Sequence, residues 1–195
     1  MKKVSLSGSL RENVGKKDAK NIRKVGQVPC VIYGGTEQIH FQVAIADFKP
    51  ILFTPETYVI QIVLGGKTYN TILKEAQYHP VGDQVIHADF FEINEANPVV
   101  VALPVKVKGT SPGVIRGGKL KIKLVRLIVK GLIASLPEFI EVNVSKLNVG
   151  QSIKVRNLKL ENVTFLNDAN AVVVEVKAAR GIVLSDDEEA EAPVA

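Results

Sequence analysis

Short runs of apolar and β-branched residues, separated by glycine- and proline-containing turns, follow one another along most of the chain. Residues 4–10 alternate apolar with small polar positions, as a half-buried strand does. Residues 58–64 and 67–74 flank Gly65-Gly66, a pair typical of a two-residue β-hairpin turn. The pattern predicts a chain built mainly from short strands, and it excludes an all-helical fold.

One segment near the N-terminus has the period of a helix instead. Beginning at Asp18, apolar Ala19, Ile22 and Val25 recur at three-residue intervals and would form one apolar face. Asp18 is a suitable N-cap and Gly26 a suitable end, so we expect a short helix between them. The helix would direct a basic stripe towards solvent, formed by Lys16, Lys20, Arg23 and Lys24.

The chain changes character at about residues 94–98. Before this point strands mix with short helices, whereas after it short β runs recur at regular spacing, with residues 109–113 as a loop. We therefore expect two domains, at 1–96 and 97–177. Residues 178–195 lack an apolar pattern and carry several acids, so a disordered acidic tail is expected there.

Charge is distributed unevenly around a net value of +5. Residues 185–195 hold five acids and no base, which leaves 25 bases against 15 acids in residues 1–184. Eight bases lie in residues 1–26, and eight more lie in residues 96–137 without a single acid. Such clusters favour a polyanionic partner, because each neutralised phosphate releases counterions. An ordinary solvated surface is the alternative.

The cysteine count, the length of the apolar runs and the available motifs indicate the cellular compartment and argue against catalysis. With one cysteine, Cys30, no intrachain disulfide can form, and no apolar run is long enough for a membrane span, so a reduced cytoplasmic protein is expected. His79, His87 and Asp89 are the best metal candidates, but their spacing does not define a site. Cys30 lacks a basic activator, and no nucleophile or P-loop motif is present. We predict no catalytic residue, metal, cofactor or small-molecule substrate.

Three polar side chains suit contact with RNA. His87 and Asp89 are two residues apart on a predicted strand and share one face, where a simple core strand would carry apolar groups. Tyr33 ends its strand at Gly34-Gly35 and offers a ring face or a hydroxyl. Such groups can read ribose 2′-hydroxyls and shallow-groove base edges. A solvated strand face and an edge-of-core tyrosine are the alternatives.

A longer series of motifs makes the interpretation specific. In the first domain they are Arg11-x3-Gly15-Lys16, Lys20-x2-Arg23-x2-Gly26, Pro29-x-Val31-Ile32-Tyr33-Gly34, and Gln77-x-His79-Pro80 followed by His87-x-Asp89-Phe90. They resemble the bacterial large-subunit ribosomal proteins that bind 5S rRNA, the CTC or general stress protein family. Three further motifs resemble the C-terminal domain of the family's two-domain form: Val105-x-Val107-x-Gly109-x2-Pro112-Gly113, Leu136-Pro137-x2-Ile140-x-Val142 and Gly150-x-Ser152-Ile153. The resemblance covers roughly residues 4–177.

The resemblance implies an α+β fold, with an N-terminal β-barrel-like domain carrying short helices and a mostly-β C-terminal domain. It implies a structural, non-catalytic role in the large ribosomal subunit, with the first domain gripping the loop E region of 5S rRNA. The implied phosphate contacts are Arg11, Lys16, Lys20 and Arg23. The implied shallow-groove contacts are Tyr33, His87 and Asp89, with Gln77 as a weaker member.

The chain departs from the family pattern in two places. Asp18, Ala19 and Asn21 stand where small or hydroxyl and paired basic residues are common, so the helix contact should be weaker. The basic region 96–137 suggests a supplementary RNA contact through Lys119, Lys121, Lys123 and Arg126, or a surface that compensates the acidic tail. A module that contacts neighbouring ribosomal proteins without recognising rRNA directly is the alternative for the whole chain.

Overall fold

A computed structural model of the chain describes residues 1–178 except Thr36, Phe53, Asp83, Glu95, Ala96 and Glu161. The predicted acidic tail lies outside the described residues from position 179 onward. The strands are β1 (Lys2–Ser7), β2 (Ser9–Leu10), β3 (Gln27–Tyr33), β4 (Ile39–Ala44), β5 (Tyr58–Leu64), β6 (Lys67–Tyr78), β7 (Val85–Glu92), β8 (Val99–Lys108), β9 (Lys119–Ile122), β10 (Arg126–Gly131), β11 (Ile140–Asn143), β12 (Ser152–Lys154), β13 (Val163–Phe165) and β14 (Val172–Lys177). The helices are α1 (Lys16–Lys24), α2 (Lys49–Leu52) and α3 (Pro112–Ile115), with 3₁₀ turns at Ile45–Phe48, Ile133–Ser135 and Val155–Asn157.

The first seven strands form one sheet in the order β1-β5-β6-β7-β3-β4-β2. Its edge strands, β1 and β2, are separated in sequence only by Gly8, whose N–H donates to the Val63 carbonyl at 3.2 Å. A Cβ atom at Gly8 would lie 2.9 Å from the Phe41 ring and 3.0 Å from a Leu64 methyl group, so the close passage requires glycine. The sheet thus curls into the barrel-like form that was predicted for the N-terminal part.

Alternate side chains of these strands fill the inside of the curled sheet. Cys30 and Ile32 of β3, Phe41 of β4, and Ala88 and Phe90 of β7 all have no exposed surface. Burial raises the pKa of the Cys30 thiol, which keeps it neutral and inert. The prediction that Cys30 is a small buried hydrophobe is confirmed. The intervening residues of the same strands point to the outer face.

The β5–β6 hairpin forms as the sequence predicts. Gly65 and Gly66 have φ values of +53° and +86°, the left-handed conformations that the tight turn requires. However, β6 continues past residue 74 to Tyr78, because its pairing with β7 carries the strand beyond the apolar pattern. A register shift between Leu73 and Glu75 reverses the alternation, so Glu75 and Gln77 share the outer face with their β7 partners.

The helix was predicted in the right place but with the wrong start. It begins at Lys16 after Gly15, which puts Asp18 within the first turn instead of at the N-cap. The Asp18 carboxylate accepts hydrogen bonds from Arg11 rather than from the helix backbone. Ile22 is buried as expected, whereas Val25 follows the last turn and is 78% exposed.

The chain forms two compact units, and each unit is built from three separate segments of the chain. One unit comprises Met1–Lys106, Arg126–Ile140 and Lys159–Asp168; the other comprises Val107–Val125, Glu141–Leu158 and the chain from Ala169. The remaining strands form sheets in the orders β11-β8-β10-β13 and β12-β14-β9, which confirms the mostly-β character of the later part. The predicted loop at 109–113 instead runs into α3, because Pro112 suits a first helical turn. The division into domains 1–96 and 97–177 stays a prediction.

Candidate nucleic-acid interface

Neighbouring strands β6, β7 and β3 bring the predicted groove contacts onto one face of the barrel-like sheet. Gln77 lies opposite His87, and Glu75 lies opposite Asp89. On the other side of β7, Val31 lies opposite Asp89 and Tyr33 lies opposite Phe91. Paired residues project to the same side of a sheet. We call this surface the polar face, consisting of Tyr33, Glu75, Gln77, His87 and Asp89.

His87 and Asp89 form a fixed pair at the centre of the polar face. His87 Nδ1 lies 2.7 Å from Asp89 Oδ1, and the two side chains are 26% and 31% exposed. Because Nδ1 is the ring nitrogen that contacts the carboxylate, Nε2 is left available to a ligand. The pair thus presents a ring nitrogen and a second carboxylate oxygen with a defined spacing.

Tyr33 borders the pair and is held edge-on against Phe91, with ring centroids 5.7 Å apart and planes at 78°. Gly34 permits this arrangement, because its φ is +97° and a Cβ there would lie 2.5 Å from the Phe91 ring. Partial burial raises the pKa of the Tyr33 hydroxyl, and the charges of Asp89 and Glu75 raise it further. The hydroxyl therefore remains protonated at neutral pH and can donate a hydrogen bond.

Two further residues, Glu75 and His40, lie on the same side of the sheet, and the sequence did not predict them as part of the interface. Glu75 reaches the polar face only through the β6 register shift, and its carboxylate lies across the strand pair from Asp89. His40 of β4 lies opposite Val31 and so projects to the same side. Two facing carboxylates repel phosphate. The polar face therefore suits hydrogen-bond donors of a nucleic acid, such as base amino groups and ribose hydroxyls, rather than its backbone.

Helix α1 supplies positive charge beside this face. Arg23 Nε donates to the Ile86 carbonyl at 2.9 Å, which ties the end of the helix to the strand that carries His87 and Asp89. Lys16 and Lys20 are exposed on the helix. The structure thus places three of the four predicted phosphate contacts on an element that is anchored next to the polar face.

Arg11 is engaged within the protein. Its side chain is only 6% exposed, and its Nη2 and Nε lie 2.7 and 3.2 Å from Asp18 Oδ2. Nη2 also donates to the Asn13 carbonyl at 3.4 Å. The pair fastens the first turn of α1 to the segment after β2. Its role as a phosphate contact stays a prediction, and the structure gives Arg11 a positioning role.

Replacing Asp18 with alanine should lower the free energy of unfolding by about 1–2 kcal/mol, because the nearly buried Arg11 guanidinium loses its acceptor. Chemical denaturation measures this loss. Lys17→Ala is the matched control on the same turn; since Lys17 is exposed, its effect should stay within about 0.5 kcal/mol. An unchanged stability for Asp18→Ala would show that the pair does not fasten the helix.

The residues proposed for a supplementary contact divide between the two compact units. Lys119 and Lys121 lie on β9 opposite Lys177 and Glu175 of β14, and Lys123 follows the strand. Glu175 Oε1 lies 3.5 Å from the Lys123 ammonium and 3.4 Å from that of Lys177. We call this surface the lysine face, consisting of Lys119, Lys121, Lys123 and Lys177 around Glu175.

Arg126 belongs to the other unit. Its Nη2 donates to the carbonyls of Thr54 and Pro55 at 3.5 and 3.4 Å. These bonds occupy part of its hydrogen-bonding capacity. Arg126 is thus assigned to a different unit from the other three residues, whereas Lys177, which was not predicted from the sequence, lies opposite Lys119.

The metal alternative has little geometric support. His79 Nδ1 accepts hydrogen bonds from the N–H groups of Val81 and Gly82 at 3.3 and 3.2 Å, so this nitrogen stabilises the turn that follows His79. Among the described residues, no three histidine, cysteine, aspartate or glutamate side chains are grouped to hold a metal ion. No helix in the described part of the chain is sufficiently long and apolar to span a membrane.

Comparison with known proteins identifies the family. Residues 6–90 match the Ribosomal L25p family, and residues 98–180 match the C-terminal domain of ribosomal protein TL5. The large ribosomal subunit protein bL25 of Bacteroides fragilis is 45% identical over 165 residues, covering 83% of this chain and 84% of that protein. The bL25 protein of Christiangramia forsetii is 39% identical, covering 96% and 86%. That of Porphyromonas gingivalis is 41% identical, covering 93% and 97%.

The two matched families follow each other along the chain in the order of the sequence motifs, and the relatives extend across both. The resemblance stated from the motifs is thereby confirmed. The chain belongs to the bL25 family of structural, non-enzymatic proteins of the bacterial large ribosomal subunit.

Proposed function

We propose that this chain, as a constituent of the large subunit in the cytoplasmic ribosome, binds 5S rRNA at its loop E region. The observation that carries the proposal is the convergence of Tyr33, Gln77, His87 and Asp89 on three adjacent strands. The anchored basic helix α1 lies beside them. The recognition surface belongs to the predicted domain 1–96.

The two parts of the surface suit different parts of an RNA. Lys16, Lys20 and Arg23 supply sequence-independent attraction to phosphates. The polar face supplies fixed donors and acceptors that can fit a shallow groove. Loop E is an irregular duplex with a widened groove, and so it admits side chains that a regular A-form major groove excludes.

The salt dependence of binding tests the electrostatic half of the proposal. The experiment titrates the full chain with a 5S rRNA fragment that contains loop E, over a range of potassium chloride concentrations. The three helix cations, at about −0.7 to −0.9 per phosphate, predict a log–log slope between about −2 and −3. A flat response would contradict phosphate binding by α1.

Lys20→Ala should weaken binding to any structured RNA and flatten the salt slope by about one unit, because one phosphate contact is lost. The same titration measures both effects. Lys67→Ala is the matched control, since this exposed lysine stands at the opposite end of β6 from Gln77. Equal effects of the two substitutions would remove the special role of Lys20.

A further inference from the structure

The lysine face shows a local excess of positive charge that the described residues do not neutralise. Four lysines surround one acid, Glu175, and this acid is ion-paired with Lys123 and Lys177. Among the described residues, no carboxylate lies within ion-pair distance of Lys119 or Lys121. Both side chains are exposed. The face therefore has unused capacity for a carboxylate ligand.

A candidate ligand follows directly in the chain. The strand that contributes Glu175 and Lys177 ends at Lys177, and five acids occur between positions 186 and 191. Beyond Lys177 the only base is Arg180. We call residues 185–191 the acidic segment.

The connection is long enough for the acidic segment to reach the lysine face. Asp186 lies nine positions after Lys177, and an extended stretch of nine residues spans at most about 30 Å. Adjacent strands are about 4.8 Å apart, so β9 lies well within that reach. A short tether of this kind gives the acidic segment an effective concentration of about the millimolar range at the lysine face, so that even weak ion pairs can form.

From this complementarity we propose that the acidic segment binds the lysine face of its own chain. The carboxylates pair with Lys119 and Lys121, beside the Glu175 carboxylate, which already lies between two lysine ammonium groups. The lysine face is then an intramolecular docking surface in the free protein. The inference does not depend on RNA binding by the polar face.

A spin label attached through Ala190→Cys tests the proposal in the full chain. Cys30 has no exposed surface, so the label reacts at the introduced thiol. At low salt we expect the amide NMR signals of residues 119–123 and 175–177 to lose most of their intensity. In 1 M salt, where screening shortens electrostatic range to about 3 Å, the signals should recover.

Two charge variants serve as matched controls for the labelled protein. Neutralising the segment with Asp186→Asn, Asp187→Asn, Glu188→Gln, Glu189→Gln and Glu191→Gln should restore the signals at low salt. The double substitution Lys119→Gln and Lys121→Gln should also restore the signals, because it removes the ammonium groups of the lysine face that would pair with the acidic segment.

Three outcomes would overturn the proposal. One is unbroadened signals at the lysine face at low salt, as expected if this face is reserved for RNA or a neighbouring protein. Another is broadening that persists after the acids are neutralised. The third is broadening centred on the other basic cluster, the exposed lysines of α1, which are Lys16, Lys17, Lys20 and Lys24.

Discussion

Replacing Asp89 with alanine should weaken binding of the full chain to 5S rRNA by about 1–3 kcal/mol, or roughly 5- to 150-fold in affinity. Asp89 is partly buried and fixed by His87, so its free oxygen can accept from RNA donors that have lost their water. Without the carboxylate, those donors stay unpaired in the interface, and His87 also loses its orienting partner. Equilibrium titration with the loop E fragment measures the loss.

The effect of Asp89→Ala on the affinity for an unrelated RNA distinguishes specific recognition of 5S rRNA from a general effect of charge. Removing a negative charge should leave binding to an unrelated duplex unchanged or slightly tighter, because phosphate is repelled less. Asp47→Ala is the matched control, since it removes an exposed aspartate that does not belong to the polar face and should leave binding to both RNAs nearly unchanged. Equal losses for Asp89→Ala on cognate and unrelated RNA would remove Asp89 from the recognition role.

Phe90→Ala should lower the free energy of unfolding by about 3–5 kcal/mol, the largest stability effect that we expect in the chain. Phe90 has no exposed surface, and its ring centroid lies 5.6 Å from that of Phe41 and 6.4 Å from that of Phe48. It sits on β7 immediately after Asp89, on the opposite face of the strand. Its ring therefore supports the polar face from inside the sheet.

Tyrosine fluorescence during urea unfolding measures this loss selectively. The chain has four tyrosines and no tryptophan, and all four tyrosines lie in the unit that contains Phe90. Phe90→Leu is the matched control, because it keeps most of the apolar volume and should lose clearly less stability. A loss below about 1 kcal/mol for Phe90→Ala would contradict the assigned core.

Much of the strand pattern could be predicted because local chemistry determines it. Gly65-Gly66 determines a tight turn on its own, and the alternation in β3 and β4 reflects burial on one side. The helix start could not be predicted in the same way. Asp18 is a good N-cap by residue type, but in the fold it is the acceptor for Arg11, which is seven residues away.

The candidate site was predictable only in part, for a similar reason. His87 and Asp89 share a face through simple alternation, whereas Glu75 joins them only because the register shifts within β6. A register shift depends on the partner strand, so the spacing of residues in β6 does not reveal it. Lys177 likewise joins the lysine face through antiparallel pairing of β14 with β9, across more than fifty positions of sequence.

A paired binding measurement tests the central claim most directly. The full chain is titrated with a 5S rRNA fragment that contains loop E, and with the same fragment in which loop E is replaced by a regular duplex of equal length. We predict at least about tenfold tighter binding to the first RNA, equivalent to about 1.4 kcal/mol. Equal affinities for the two RNAs would contradict recognition by the polar face.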